Sequence, residues 1–468
     1  MAERPFGPSR TTLPVAVTLV AAWLLGACGQ PRASSLPVLT GCPLVASADS
    51  SDPAWPLTIA MGPDLYPVVV SEPGFPGTRP QRFTTHQVGE TLIRLDCRGD
   101  AVAGLASRWS VDSSGYLWTF ALRPGARFAD GTSVVVADVS RSFAEVRTPR
   151  PWTGSGGMLV GWAGIRRATL RGDTALVLEF TEARRTVPPV LAHPALVTIK
   201  QTSGEAVGSG PFRVTAASEG RVRLAAESGA TMSLTVVTGD LRDALDAGVD
   251  VVVTRDPRTL GYAAGLEEYA TIPLSWVDQY VLVKPDGSDR SATVSLDALR
   301  LQEIVRVSAR SPMTGERTPW WHHVGHCRLA GPDPRAVVET RSRLVYDAAD
   351  AVARSVAERL VAVGGTERPL IAAGVAAEQF RAAIRAAGDW GYIVRLPTLP
   401  LAPCLEADQV LAYAPWLELS PGGGAAGLTA LIEVRSHAVV RPHRVVGRVE
   451  LDWLGSLVIL PISDGVGR

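Results

Sequence analysis

The chain has 468 residues, 46 basic and 46 acidic side chains, 46% hydrophobic residues and a slightly positive mean hydropathy, which is the composition of a globular protein. A formal net charge of zero supplies no long-range field for phosphates, so nucleic acid is excluded as an expected partner. One core is unusual at this length, and about three folding units are expected.

Arg4 and Arg10 precede an uncharged apolar stretch from Leu13 to Leu25, the order of a secretory signal. The stretch is shorter than the ~20 residues a membrane-crossing helix needs, and no later apolar run reaches that length. It ends in Leu25-Gly26-Ala27-Cys28, which resembles a bacterial lipobox. Cleavage before Cys28 and a diacylglycerol on its thiol would tether the remainder to a membrane surface; the plainer alternative is an ordinary signal with an incidental cysteine. Residues 1–27 are therefore read as signal peptide, and residues 28–55, rich in Pro, Ser and Ala, as a flexible tether. Of the five cysteines, four then remain. They allow three pairings, of which Cys42 with Cys97 and Cys327 with Cys404 join neighbouring parts of the chain; buried free thiols are the alternative.

Pro56 to Ala60 reads as a first strand. Tyr116, Trp118, Phe120 and Leu122 alternate with smaller residues, which predicts a strand with one buried face. Arg123-Pro124-Gly125-Ala126 follows as a type II turn, with Pro fixing φ at the second position and Gly free to take positive φ at the third. A short strand at Arg127-Phe128 and a turn at Asp130-Gly131 lead to a helix with Val139, Phe143 and Val146 on one face. Asp347 is expected to cap a second helix carrying Ala349, Val352, Val356, Leu360 and Val363 and closed by Gly364. A third, with Phe380 and Ile384, ends near Gly388, before a strand from Trp390 to Leu396. Ala430–Val440, Val445–Leu451 and Leu457–Leu460 read as strands with turns at Arg441-Pro442 and Gly455. The mixture predicts an α/β fold.

The run from Gly115 to Gly131 resembles the signature of family 5 extracellular solute-binding proteins, the dipeptide and oligopeptide receptors of ABC importers. Glu90-Thr91-Leu92, Leu105-Ala106-Ser107-Arg108-Trp109, Asp138-Val139 with Ser142-Phe143, and Gly208-Ser209-Gly210-Pro211-Phe212 resemble further family elements in the family's order. The resemblance covers roughly residues 56 to 225. It implies a two-lobed, periplasmic-binding-protein-like clamp with an inserted subdomain: residues 56–275 as first lobe, 276–410 as second lobe, and 411–468 as strands returning to the first. It also implies a monomeric, extracytoplasmic receptor that closes on a peptide or other small solute and delivers it to an ABC permease. The alternative is a relative turned envelope sensor or interaction protein. Three departures stand out. Val135 occupies the position of a Thr helix cap, Ala103 replaces a proline, and Gly391-Tyr392-Ile393-Val394-Arg395-Leu396-Pro397 replaces the acidic element that holds a peptide's α-amino group in family members.

Trp320-Trp321-His322-His323-Val324-Gly325-His326-Cys327 is the most reactive-looking cluster. His322 and His326 have the spacing of metal ligands on a helix, yet Pro319 and Gly325 oppose a helix and no carboxylate completes the set. A polar loop is the better reading, without a resident metal or cofactor. Trp152, Trp320, Trp321 and Trp416 lie in loop-like surroundings and are candidates for lining a solute cleft, each against the plainer reading of a packed surface aromatic. Asp278 and Tyr280 precede Val281-Leu282-Val283, where the chain is expected to cross between lobes; they are read as strand-end polarity. Gly208-Ser209-Gly210 lacks both the hydrolase elbow spacing and the P-loop lysine. No nucleophile, base and orienter assemble, so an enzyme is not expected.

Overall fold

The computed structural model describes residues 56–62, 79–96, 99–147, 164–202, 205–218, 220–284, 293–297, 337–363, 369–386, 390–398, 428–445, 449–451 and 457–459, all within the unit Leu39–Arg468. The chain enters with β1 (Leu57–Met61) and α1 (Arg79–Val88). Next come β2 (Ile93–Leu95), β3 (Ala101–Ala103), β4 (Ala106–Val111), β5 (Leu117–Leu122), α2 (Val136–Arg147), β6 (Ile165–Arg171) and β7 (Ala175–Phe180). The hairpin β8 (Ile199–Thr202) and β9 (Glu205–Gly208) leads to β10 (Phe212–Ser218), β11 (Arg221–Ala226), β12 (Thr231–Val236), α3 (Leu241–Asp246), β13 (Val251–Thr254) and α4 (Pro257–Ala263). Then follow β14 (Ala270–Val283), β15 (Thr293–Asp297), β16 (Val337–Arg341), β17 (Arg343–Asp347), α5 (Ala351–Val363), β18 (Ile371–Val375), α6 (Ala377–Arg385) and β19 (Gly391–Thr398). The last elements are β20 (Leu428–Val440), α7 (Pro442–Val445), β21 (Val449–Leu451) and β22 (Leu457–Ile459).

Ten strands form one sheet in the order β10-β11-β12-β1-β13-β20-β14-β19-β17-β18. Strand β1 is parallel to β12 and β13, and β17 is parallel to β18 and β19. Between these parallel groups run the long antiparallel strands β14 and β20. At one end of the pair, Ala270–Pro273 face Val440–His437 and β20 also pairs with β13; at the other, Val277–Val283 pair with Thr398–Tyr392 of β19. The register of the β14–β20 pair shifts between Pro273 and Val277.

Burial on both faces explains why β1 and β13 are almost entirely apolar. Leu57, Ile59, Met61, Val251 and Val253 join a core with Phe83 of α1. Ala60 and Val252 point the other way, onto Leu245 of α3 and Leu260 of α4. Across the crossing, Leu344 and Ile393 pack on Val352, Val356 and Leu360 of α5. The sheet β4-β5-β7-β6 stands apart with its own core, in which Trp118, Phe120, Leu176 and Leu178 meet Val139 and Phe143 of α2. That is the inserted subdomain. No helix among the described residues is long and apolar enough to cross a membrane.

Several expectations need correction. Trp118, Phe120 and Leu122 are buried as the alternation predicts, but Tyr116 is 44% exposed, because it lies in the bend just before the strand begins at Leu117. Arg127 and Phe128 form no strand, only an isolated bridge from Arg127 to Ser133. The α5 cap is Asp350, which accepts from the amides of Val352 and Ala353, each at 3.1 Å; Asp347 instead holds the Ala349 amide one turn earlier. Pro442 starts a helical turn that includes Val445, so the strand expected from Val445 begins at Val449. The expected turn at Arg123–Ala126 is present, with Gly125 at φ +75°.

Candidate functional site

Met61 and Thr254 close the carboxyl ends of β1 and β13 in the first lobe, opposite the segment Ala348–Asp350 that links β17 to α5 in the second. A cavity of about 270 Å³ lies between them, lined also by Asp240, Arg255, Asp256, Arg258 and Arg354. The carboxyl edge of parallel strands is where open α/β sheets place their ligands, since chain reversals there leave a crevice.

Three helices start at this cavity, each with an aspartate cap. Asp240 accepts from the Arg242 amide at 3.0 Å, and Asp256 from the Arg258 amide at 3.1 Å. Both aspartates also hold the guanidinium of the same arginine. Hydrogen bonding from Arg242 brings the Asp240 carboxyl down to about 2, so it is anionic throughout the physiological range.

Asp350 caps the third helix and belongs to a buried network that crosses the lobes. Arg255, just after β13, donates to Asp350 at 2.8 Å and to the Tyr280 hydroxyl at 2.7 Å, and lies 3.2 Å from Asp278. The Tyr280 hydroxyl sits 3.0 Å from both Asp350 oxygens, and Arg395, opposite Tyr280 in the sheet, is 3.8 Å from Asp350. Asp278 and Tyr280 are 1% and 0% exposed. Burial pushes the Tyr280 hydroxyl well up, so it stays protonated and donates to the carboxylate. Buried charges persist only when paired and hydrogen-bonded. Here two guanidiniums and two carboxylates balance.

Asp278 and Tyr280 therefore are not ordinary strand-end polarity; their side chains are inside. Arg255, Asp350 and Arg395 escape the sequence reading. One signal was present: opposite charges at inward positions of two apolar strands, Asp278 before Val281–Val283 and Arg395 within Tyr392–Leu396, must find partners. Cys28, Cys42, Cys97, Trp152, Trp320, Trp321, His322, His326, Cys327, Cys404 and Trp416 all lie outside the described residues. Among the described residues, no group of three or more His, Cys, Asp or Glu side chains is placed to hold a metal ion.

The segments that resemble a known family gather elsewhere, where the first lobe meets the inserted subdomain. Glu90 forms a bidentate pair with Arg123 at 2.6 and 2.7 Å, and Arg123 also donates to the Gly104 carbonyl. The Glu90 amide donates to Ser209 Oγ, which donates to the Thr198 carbonyl. A Cβ on Gly208 would stand 1.9 Å from the Val88 carbonyl oxygen, and one on Gly210 2.5 Å from that of Gln87. Gly208-Ser209-Gly210 is thus a close-packing element against the end of α1.

Residues 100–228 match the sequence model described as bacterial extracellular solute-binding proteins, family 5 Middle. The nickel-binding periplasmic protein of Escherichia coli (strain K12) is 28% identical over 102 residues, 22% of this chain and 17% of that protein. The HTH-type transcriptional regulator SgrR of Shigella dysenteriae serotype 1 (strain Sd197) is 25% identical over 174 residues, 32% of this chain and 27% of that protein. The chain thus matches well under two thirds of either relative's length. The structure of the Escherichia coli murein tripeptide binding protein MppA superposes with a TM-score of 0.61 at 11% identity, covering 88% of this chain and all of that one. The middle segment is thus similar in sequence to the family 5 bacterial extracellular solute-binding proteins, and the fold is similar to that of the murein tripeptide binding protein.

Proposed function

We propose that the chain is the solute-binding receptor of an ABC importer, exported and anchored to a membrane surface through Cys28. It captures a peptide or other small solute by lobe closure and passes it to a permease, and binding is its whole chemistry. The observation that carries this reading is the cavity at the carboxyl ends of β1 and β13, which faces the α5 start across the lobe boundary. A solute there touches both lobes, so its contacts favour the closed arrangement. The named substrates of the relatives, a murein tripeptide and nickel, set the range of solutes to try first. At the position of the family's acidic anchor, this chain continues into buried β19, which favours solutes without a free α-amino group.

The test is thermal unfolding of the purified protein with tripeptides, N-blocked peptides, amino acids and chelated metal ions. A true solute at 100 times its Kd adds about 2.7 kcal/mol of stability. A second reading, an envelope sensor without transport, draws on the shared segment with a transcriptional regulator; it gains if no solute shifts the transition and an envelope protein binds instead. Cys28→Ala is expected to move the protein from the membrane to the soluble fraction.

A further inference from the structure

Strands β20, β14 and β19 lie between β13 and β17 in the ten-stranded sheet, a separation of about 19 Å at the usual strand spacing. Yet Arg255, which follows β13, and Asp350, which caps α5 after β17, meet at 2.8 Å. Both residues line the cavity between the lobes, so this one contact joins its two walls. Each partner also has an opposite charge close by that does not depend on the contact. Arg255 lies 3.2 Å from Asp278 on β14. Asp350 lies 3.8 Å from Arg395 on β19 and accepts from two amides of its own helix. Breaking a buried ion pair is strongly destabilising when it strands one charge alone. Parting Arg255 from Asp350 strands neither. The Tyr280 hydroxyl, 2.7 Å from Arg255 and 3.0 Å from Asp350, stands between the two and holds them in line.

We propose that the Arg255–Asp350 pair is a reversible clasp on the cavity between the lobes: it parts to admit solute and is made again as the walls close, with Tyr280 as its positioning residue. The proposal rests on the receptor reading in taking this cavity as the solute site. A contact that exists only in the closed arrangement sets how much of the free chain is closed. Loss of one charged hydrogen bond therefore moves the ratio of closed to open chain at least about tenfold towards open.

The experiment is small-angle X-ray scattering on the free chain, without solute, for wild type, Arg255→Gln, Tyr280→Phe and Asp250→Asn. Arg255→Gln should have a larger radius of gyration than wild type with an unchanged far-ultraviolet circular dichroism spectrum. Tyr280→Phe keeps both charges and should expand less. Asp250 stands at the opposite end of β13 from the cavity, in a buried pair with Arg444, so Asp250→Asn should lower the thermal transition and leave the radius of gyration as it is. The clasp is overturned if Arg255→Gln and Tyr280→Phe both keep the wild-type radius, or if Asp250→Asn expands as much as they do. A solute found for a chain whose radius ignores these variants would strike the clasp alone. A radius that responds while no solute shifts the thermal transition would leave the clasp standing and strike the receptor reading.

Discussion

Asp350 accepts from two amides of α5 while holding Arg255 and the Tyr280 hydroxyl, so removing its carboxylate strips a helix cap and takes one of two carboxylates from the buried Arg255 guanidinium. Asp350→Ala should cost about 3–5 kcal/mol in urea unfolding, and Tyr280→Phe about 1–2 kcal/mol. Another buried carboxylate, Asp250, joins segments far apart in sequence: it accepts from the Thr58 amide and hydroxyl at 2.8 Å and from Arg444 at 2.8 Å. Burial works to raise its pKa, but Arg444 and Thr58 outweigh that and hold it below the ordinary value. A depressed folded pKa contributes stability that is complete above the ordinary carboxylate value and lost as pH falls through the folded one. Between about pH 5 and about pH 2, wild type should lose stability more steeply than Asp250→Asn. Equal slopes would remove Asp250 from the account.

At the scale of elements, α2 begins without a side-chain cap of its own. Asp138 reaches back to the Val135 amide at 3.0 Å, which supplies one half of a capping box. Val135→Thr should add the other half and raise stability by about 0.5–1 kcal/mol in thermal unfolding. The loop from β9 to β10 has the opposite sensitivity. A Cβ at Gly210 falls 2.5 Å from backbone oxygen, so Gly210→Ala should cost about 1–3 kcal/mol. Elements with local rules were legible in the sequence. The strand ending at Leu122, the Pro124-Gly125 turn and the apolar stripe of α5 each follow from residues a few positions apart. The α5 start was misread because Asp347 and Asp350 both suit a cap, and only packing against Arg255 separates them.

For the whole molecule, the recognisable residues and the site residues occupy different places. Glu90, Arg123 and Gly208–Pro211 sit where the first lobe meets the inserted subdomain, so they reveal the scaffold and say little about the solute. The network between the lobes joins Arg255, Tyr280 and Asp350, whose separations of 25, 70 and 95 residues carry no local pattern. Tyr280 lies on β14, one of the two long strands that join the parallel groups of the ten-stranded sheet. Small-angle X-ray scattering tests the central claim most directly, on the purified protein alone and saturated with whichever solute most raises its thermal transition. The account predicts a smaller radius of gyration in the saturated state, as the lobes close on the solute. A bound solute with an unchanged radius of gyration would contradict it.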